Sequence, residues 1–435
     1  LLPGGAEFAG WLHAVALTGR PVLPLNTRLT AAELARQLLD ARVATLLGAA
    51  GDARLDELAR AVPGLAASAV PDLDALPPAR DVLPGEVHAD DDTLAVLFTS
   101  GTTGRAKGAC LPWRAFRASA EGSAERLGSV VGKRWLACMP LFHVGGLSIL
   151  LRSALFGGPV RLHDRFDTGA VNDALDRGGV AGLSLVPTML SRLLAAREGR
   201  GAPAGLEVLL LGGAATPPGL LQRALAAGYP VCTTYGLTES CSQAATAAPP
   251  PPGSLEAAPM RPLRGVEIRI VDRGRDLPAG APGEIVLRGA VLMKGYLHDV
   301  ESTARALRDG WLYTSDVGYL DDGGGLHVLD RRDDLVVTGG ENVYPAEVEA
   351  ALLDHPGVAE AGVAGVPDAD LGARVVAWIV IASGASVDAA ALAGHCRTRL
   401  AGYKVPRQFH FVASLPRTAA GKLQRLRLSD VPSQS

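Results

Sequence analysis

"LFTSGTTGRAKGAC", residues 97–110, places three glycines, three threonines, a serine and two cations in fourteen residues. It grows out of the apolar run Leu94-Ala95-Val96-Leu97-Phe98, which has the length of a strand. Such a loop can cradle a phosphate. Glycine lets backbone N–H groups approach an anion, the hydroxyls donate hydrogen bonds, and Lys107 adds charge. The Walker pattern G-x-x-x-x-G-K-[ST] begins to fit at Gly101, but Ala106 and Gly108 stand where Gly and Ser/Thr are required. The loop is therefore not that ATPase element, and taken alone it would also suit a plain connector.

On both sides of this loop, strand-length apolar runs alternate with helical patterns. Residues 31–41 predict a helix and 43–47 a strand. Strands are also predicted at 94–99, 182–186 and 208–211, and within "YPVCTTYG". Helices are predicted at 188–196 and from Pro218 onward. This alternation predicts a mostly parallel α/β sheet. After "PPPPGS" near residue 249 the texture changes to short strands at 266–271, 284–287 and 326–329. From 334 a further unit reads as a helix at 345–353, strands at 358–363 and 375–381, and a helix at 388–400. The expected fold is α/β, with a large N-terminal domain over 1–329 built of parallel α/β subdomains. Its β-rich subdomain occupies about 253–329. A hinge at 330–333 leads to a small, mobile α+β lid domain over 334–435.

Composition removes several function classes. The 435 residues are 48% hydrophobic and 20% charged, as expected of a globular chain, and the net charge of -3 offers no basic field for nucleic acid. No run reaches the roughly 18 to 20 apolar residues of a membrane span. The best stretch, 147–160, is broken by Arg152. Five scattered cysteines (110, 138, 232, 241 and 396) without CxxC spacing argue against a disulfide framework or a structural zinc, and fit a cytoplasmic protein. The first residues lack the basic segment of a signal peptide. There is no initiator Met, so the natural N-terminus stays open, as does homo-oligomerisation.

Five further stretches carry chemistry. "LLLGGAATP" (209–217) and "TTYGLTES" (233–240) each follow a short strand, and so lie where open α/β sheets bind ligands. "GWLYTSDVGYL" (310–320) sets Asp316 among small polar residues, and "LDRRDDLVVTGGENVYPAEVE" (329–349) places charges and a Gly pair at the domain change. Near the C-terminus, "LPRTAAGKLQR" (415–425) carries a lone Lys after a Gly.

In this order the set resembles the acyl-adenylate-forming superfamily of acyl- and aryl-CoA ligases, luciferases and peptide-synthetase adenylation domains. The resemblance covers essentially the whole chain. It implies an enzyme that activates a carboxylate with ATP and Mg²⁺ as an acyl-AMP, then passes the acyl group to coenzyme A. By that resemblance the loop 99–107 (Thr99, Ser100, Gly101, Thr102, Thr103, Gly104 and Lys107) holds the β- and γ-phosphates. Gly213, Ala214 and Ala215 border adenine, Tyr235 stacks on it, and Gly236 and Thr238 belong to the same nucleotide site. Glu239 is the Mg²⁺ ligand. Asp316, assisted by Arg331, accepts the ribose hydroxyls. Lys422 bridges the substrate carboxylate and the α-phosphate. Asp333 marks the hinge, and Gly339 and Gly340 line the tunnel for the thiol. Asp330 is a departure, since Gly commonly precedes the Arg in this superfamily.

His143, in "MPLFHVGGLS", is implied to line the acyl pocket and to gate the adenylate. Within the superfamily, "LSLVPTMLSRLL" (183–194) and "LLGGAATP" are most similar to the o-succinylbenzoate–CoA ligases of menaquinone biosynthesis. That acid keeps a second carboxylate, which needs a cation or several donors if buried. Arg192 is the candidate cation, on a helical face shared with Thr188 and Ser191, and Ser184 and Gly212 complete the expected acyl pocket. A fatty-acyl or other aryl-acid ligase of the same mechanism, and a nucleotide-binding homologue without catalysis, remain as alternatives. The partners expected are a small carboxylic acid, ATP and coenzyme A, with no nucleic acid and no membrane.

Overall fold

The structure is a computed structural model describing residues 1–71, 88–99, 106–197, 199–213, 216, 218–331, 336–343, 345–416 and 425–432. A seven-stranded sheet forms the centre of the large lobe. Its spatial order is Arg261–Pro262, Ala245–Thr246, Val231–Tyr235, Val208–Leu211, Gly182–Leu185, Trp135–Ala137 and Val160–Leu162. The last five of these run parallel, and the first two are antiparallel additions. Gly182–Leu185 and Val208–Leu211 are buried at every position, because helices cover both faces. Leu183, Leu185, Leu209 and Leu211 face the helices Thr168–Asp176, Pro187–Ala196 and Pro218–Ala226, while Val208, Leu210 and Cys232 face Leu127 and Ile149 on the opposite side.

The glycine-rich loop sits elsewhere. Thr93–Thr99 pairs antiparallel with Lys107–Pro112, and Gly295–Tyr296 completes a separate three-stranded sheet. The expectation that residues 94–99 join the parallel alternation is therefore corrected. Thr99 faces Lys107 directly, and the short connection between them cannot span the dozen or more residues that a parallel crossover requires.

The β-rich part is an antiparallel sheet ordered Arg275–Asp276, Val266–Asp272, Gly283–Gly289, Trp311–Leu320 and Leu307–Arg308, with Leu326–Arg331 also paired to Trp311–Leu320. Sequence reading did not identify Trp311–Leu320 as a strand. Its pairing with Leu326–Arg331 slips between Val317 and Gly318, and Ser315 takes φ 64, so the alternation that marks a strand is broken. The small lobe is built on a five-stranded sheet ordered Glu341–Val343, Val336–Thr338, Gly372–Ile381 and Val358–Asp368, with Gln408–Phe411 parallel to Gly372–Ile381. It has its own core, including Val343, Val348, Val363, Ile379, Leu392 and Cys396, beneath the helices Pro345–Leu353 and Ala389–Arg397.

Candidate active site

The carboxyl ends of Val208–Leu211 and Val231–Tyr235 build the base of the site. At Gly212 a Cβ would lie 2.6 Å from Thr234 Cγ2, so only glycine lets these two strand ends close together. Gly213 follows at φ 79, in the left-handed region that glycine enters without strain. Ala214 and Ala215 lie outside the described residues. Tyr235 ends its strand, and the chain folds back so tightly that a Cβ on Gly236 would collide with the Ser242 carbonyl oxygen. The short turn Thr238–Ser240 is fixed by Leu237 N–H donating to Ser240 Oγ at 2.9 Å, and it presents Glu239.

Tyr235 and Asp316, expected at adenine and ribose respectively, meet each other. The Tyr235 hydroxyl donates to Asp316 Oδ2 at 2.8 Å, with the two residues 8% and 4% exposed. The backbone leading to Asp316 is held by two anchors: Ser315 N–H donates to Glu284 Oε1, and Asp316 N–H to Thr314 Oγ1, both at 3.0 Å. Arg331 is the register partner of Asp316 on the neighbouring strand.

A second cluster gathers residues expected at the phosphates and the metal. The Lys107 ammonium lies 5.3 Å from the centre of the Tyr296 ring, whose hydroxyl donates to Glu239 Oε1 at 2.8 Å. Tyr296 thus bridges the two residues expected at the phosphates and the metal. Sequence reading missed it, because only the pairing of Gly295–Tyr296 with Lys107–Pro112 brings it there. Among the described residues no group of three or more His, Cys, Asp or Glu could hold a metal ion. The Glu239 carboxylate, oriented by the Tyr296 hydroxyl, is the kind of hard oxygen ligand that suits Mg²⁺. Ser100, Gly101, Thr102, Thr103 and Gly104 lie outside the described residues. Thr99 is described and its hydroxyl donates to the Lys107 carbonyl at 3.4 Å.

His143 caps the helix Val144–Phe156 at its N-terminus. The turn before it is compact, since a Cβ on Gly146 would collide with the Pro140 carbonyl oxygen. Partial burial, reinforced by the Arg28 guanidinium, pushes the His143 pKa down to about 4, so the ring is neutral near pH 7. Its Nε2 lies 3.2 Å from Glu341 Oε2. Glu341 belongs to the small lobe and also forms an ion pair with Arg28. Ser184 is buried in its strand, Thr188 lies in the first turn of Pro187–Ala196, and Arg192 on the same helix is exposed. The helix buries Leu190 and Leu193 instead, so the packing does not set Arg192 apart from other surface arginines.

Gly339 and Gly340 form the two-residue turn between Val336–Thr338 and Glu341–Val343, with φ 57 and 83, the pattern of a tight hairpin. The glutamate immediately after the pair is the one that meets His143, so this hairpin is delivered to the start of the helix Val144–Phe156 on the large lobe. Asp333 and Lys422 lie outside the described residues. Arg28 and Glu341 were not anticipated. The pairing of residues so distant in sequence leaves no local signal.

The AMP-binding enzyme family matches residues 1–297, and the AMP-binding enzyme C-terminal domain matches 347–422. The 2-succinylbenzoate–CoA ligase of Bacillus velezensis is 43% identical over 433 residues, covering 99% of this chain and 87% of that one. Among solved structures, a double mutant of o-succinylbenzoate CoA synthetase from Bacillus subtilis, bound with its product analogue OSB-NCoA, superimposes with a TM-score of 0.91. It is 38% identical and covers 100% of this chain and 88% of that one. The Bacillus subtilis synthetase with the acyl-adenylate intermediate OSB-AMP, at the same identity and coverage, gives 0.71; with ATP and a magnesium ion, at 38% identity over 99% of this chain and 88% of that one, it gives 0.69.

Proposed function

Because the chain belongs to the AMP-binding enzyme family, we propose that it is an ATP-dependent o-succinylbenzoate–CoA ligase. Similarity along almost the full chain to ligases of that name is the observation that carries this reading. The reaction uses ATP with Mg²⁺ and then coenzyme A. A carboxylate oxygen of the acid attacks the α-phosphorus, the bond to the pyrophosphate oxygen breaks, and an acyl-AMP forms. The thiol of coenzyme A then attacks the acyl carbon, losing its proton as the C–S bond forms, and AMP departs with the electrons of the C–O bond.

Both steps are matters of position and charge. Tyr235, Asp316 and Arg331 hold the nucleoside, with Gly212, Gly213 and Gly236 keeping the backbone close enough to border it. Thr99 and Lys107 hold the phosphates beside Glu239, which would supply the ligand for Mg²⁺. That ion would neutralise phosphate charge as pyrophosphate leaves. Lys422 offsets charge at the α-phosphorus in the first step. His143 borders the acyl group, and Gly339 and Gly340 admit the thiol in the second. The higher structural overlap with the product-analogue complex supports reading the present lobe arrangement as the thioester-forming one.

Arg192 is assigned to the unreacted carboxylate of the acid as part of this proposal. So are the place in menaquinone biosynthesis and a cytoplasmic setting, which suits five free cysteines. Among the described residues no helix is long and apolar enough to cross a membrane. The test is AMP and thioester formation with ATP, Mg²⁺ and coenzyme A over a panel of o-succinylbenzoate, benzoate, malonate and a medium-chain fatty acid. Turnover is expected with o-succinylbenzoate. Turnover confined to another acid would reject the substrate assignment.

A further inference from the structure

The two lobes also meet through Glu33 and Lys404, which the chemistry above does not use. Lys404 of the small lobe is 6% exposed and Glu33 of the large lobe 5%. The Lys404 ammonium lies 3.2 Å from Glu33 Oε1 and 2.8 Å from Glu347 Oε1 of its own lobe. Burial opposes the charge on Lys404, but Glu347, Tyr403 and Glu33 outweigh it and raise its pKa. The second Glu347 oxygen is buried without a hydrogen-bond partner among the described residues, so Lys404 is the group that compensates this carboxylate. Glu33 is also fixed from its own side. It closes the capping box of the helix Ala31–Asp40, its Oε2 accepting from Thr30 N–H and Thr30 Oγ1 at 2.9 Å each.

Around this triad the same two segments keep meeting. Asn26 Nδ2 donates to the Tyr403 hydroxyl at 3.2 Å, and Thr30 Oγ1 lies 3.4 Å from the Arg399 carbonyl oxygen. Arg28 stacks 5.1 Å from the Tyr403 ring centre. Ala401 is buried in the large lobe's N-terminal core with Leu25, Leu29 and Leu34. A buried ion pair adds little net attraction, because desolvation offsets the Coulomb gain. Its effect is on position, since the ammonium and the carboxylate meet only when the lobe is seated in this register.

We propose that Glu33 and Lys404 form a latch that seats the small lobe in the thioester-forming arrangement, and are positioning residues for the second half-reaction. This rests on reading the chain as a two-step ligase. When the lobe rotates away for adenylation, Lys404 keeps Glu347 and Glu33 keeps its helix cap, so only the pair between lobes is lost.

The test uses Glu33→Gln, in which glutamine still completes the capping box, and Lys404→Gln as a second variant. Pyrophosphate exchange reads the first half-reaction. Single-turnover conversion of preformed o-succinylbenzoyl-AMP with coenzyme A reads the second. Pulsed EPR distances between spin labels at the exposed Leu255 and Leu353, in a Cys110→Ser background, read the lobe arrangement. Exchange is expected to stay within about twofold of wild type, while thioester formation falls on the order of tenfold, a common size for coupling between a conformational state and a function. The distance distribution is expected to leave its wild-type position. Unchanged thioester rates and distances in Glu33→Gln, or an equal fall in both half-reactions, would overturn the latch. Failure of the wild type to form any thioester would instead reject the ligase reading, and the distance measurement would still judge the latch.

Discussion

Tyr235 donates its phenol to the buried Asp316 carboxylate across 2.8 Å, tying the end of a parallel strand to an antiparallel sheet some eighty positions later. This bond joins the residue assigned to adenine with the residue assigned to ribose, so each holds the other in place. Tyr235→Phe removes a buried donor and keeps the ring. It should cost about 1–2 kcal/mol of stability and raise the KM for ATP with less change in that for the acid. Urea unfolding and ATP titration check both; unchanged stability would mean the bond only fills space.

The Lys107, Tyr296 and Glu239 chain makes a separate prediction about the metal. Glu239→Gln should lower pyrophosphate exchange and raise the Mg²⁺ concentration needed for half-maximal rate. Tyr296→Phe should give a weaker effect of the same kind, because it removes a hydrogen bond that orients the ligand, worth roughly tenfold or more in comparable sites. A Mg²⁺ titration of the exchange rate decides; identical profiles in all three proteins would remove Glu239 from the metal site.

Lys422→Ala should reduce adenylation on the order of 10²-fold or more, the scale seen when a donor to developing charge is lost. Thioester formation from preformed acyl-AMP should be spared. Equal exchange rates in variant and wild type would refute the role given to the lysine.

Arg192→Gln tests the distal carboxylate. The KM for o-succinylbenzoate should rise on the order of tenfold or more, as for loss of a charge-assisted contact, with the KM for ATP little changed. Since Arg192 is exposed, an unchanged KM for the acid would return it to the solvent face of its helix.

His143 sets a pH dependence. Its folded pKa is depressed, to about 4, below the ordinary value of 6.5. Between these two values the unfolded chain binds more protons than the folded one, so stability is full above pH 6.5 and is lost as pH falls towards 4. The groups facing the ring are Arg28, Glu341 and Phe142. The urea midpoint of wild type should fall across that window, and the His143→Asn variant should show a shallower slope. Parallel slopes would place the titration elsewhere.

Much of the fold was legible before any coordinates. Val208–Leu211 and Pro345–Leu353 match their expected ends, because burial on both faces or a helical stripe writes itself into local spacing, whereas Trp113–Leu127, Trp135–Ala137 and Val144–Phe156 were not identified. Trp311–Leu320 was not legible, since Ser315 and the register slip beside Gly318 interrupt its period. The hairpin of Thr93–Thr99 with Lys107–Pro112 was misplaced into the parallel sheet, because strand pairing is a property of neighbours that spacing alone does not name.

By itself the sequence determined what local chemistry can specify: the order of the glycine-rich, tyrosine, aspartate and lysine motifs, and the alternation that makes the large lobe. Only the tertiary structure decided which of these side chains meet. Tyr296 reaches Glu239 through a two-residue strand, Glu341 reaches His143 across the lobes, and Lys404 reaches Glu33 from 371 positions away. Caps and strands are set by hydrogen bonds between near neighbours in the chain, whereas these contacts depend on sheet order and on how one lobe seats against the other, which no local spacing encodes.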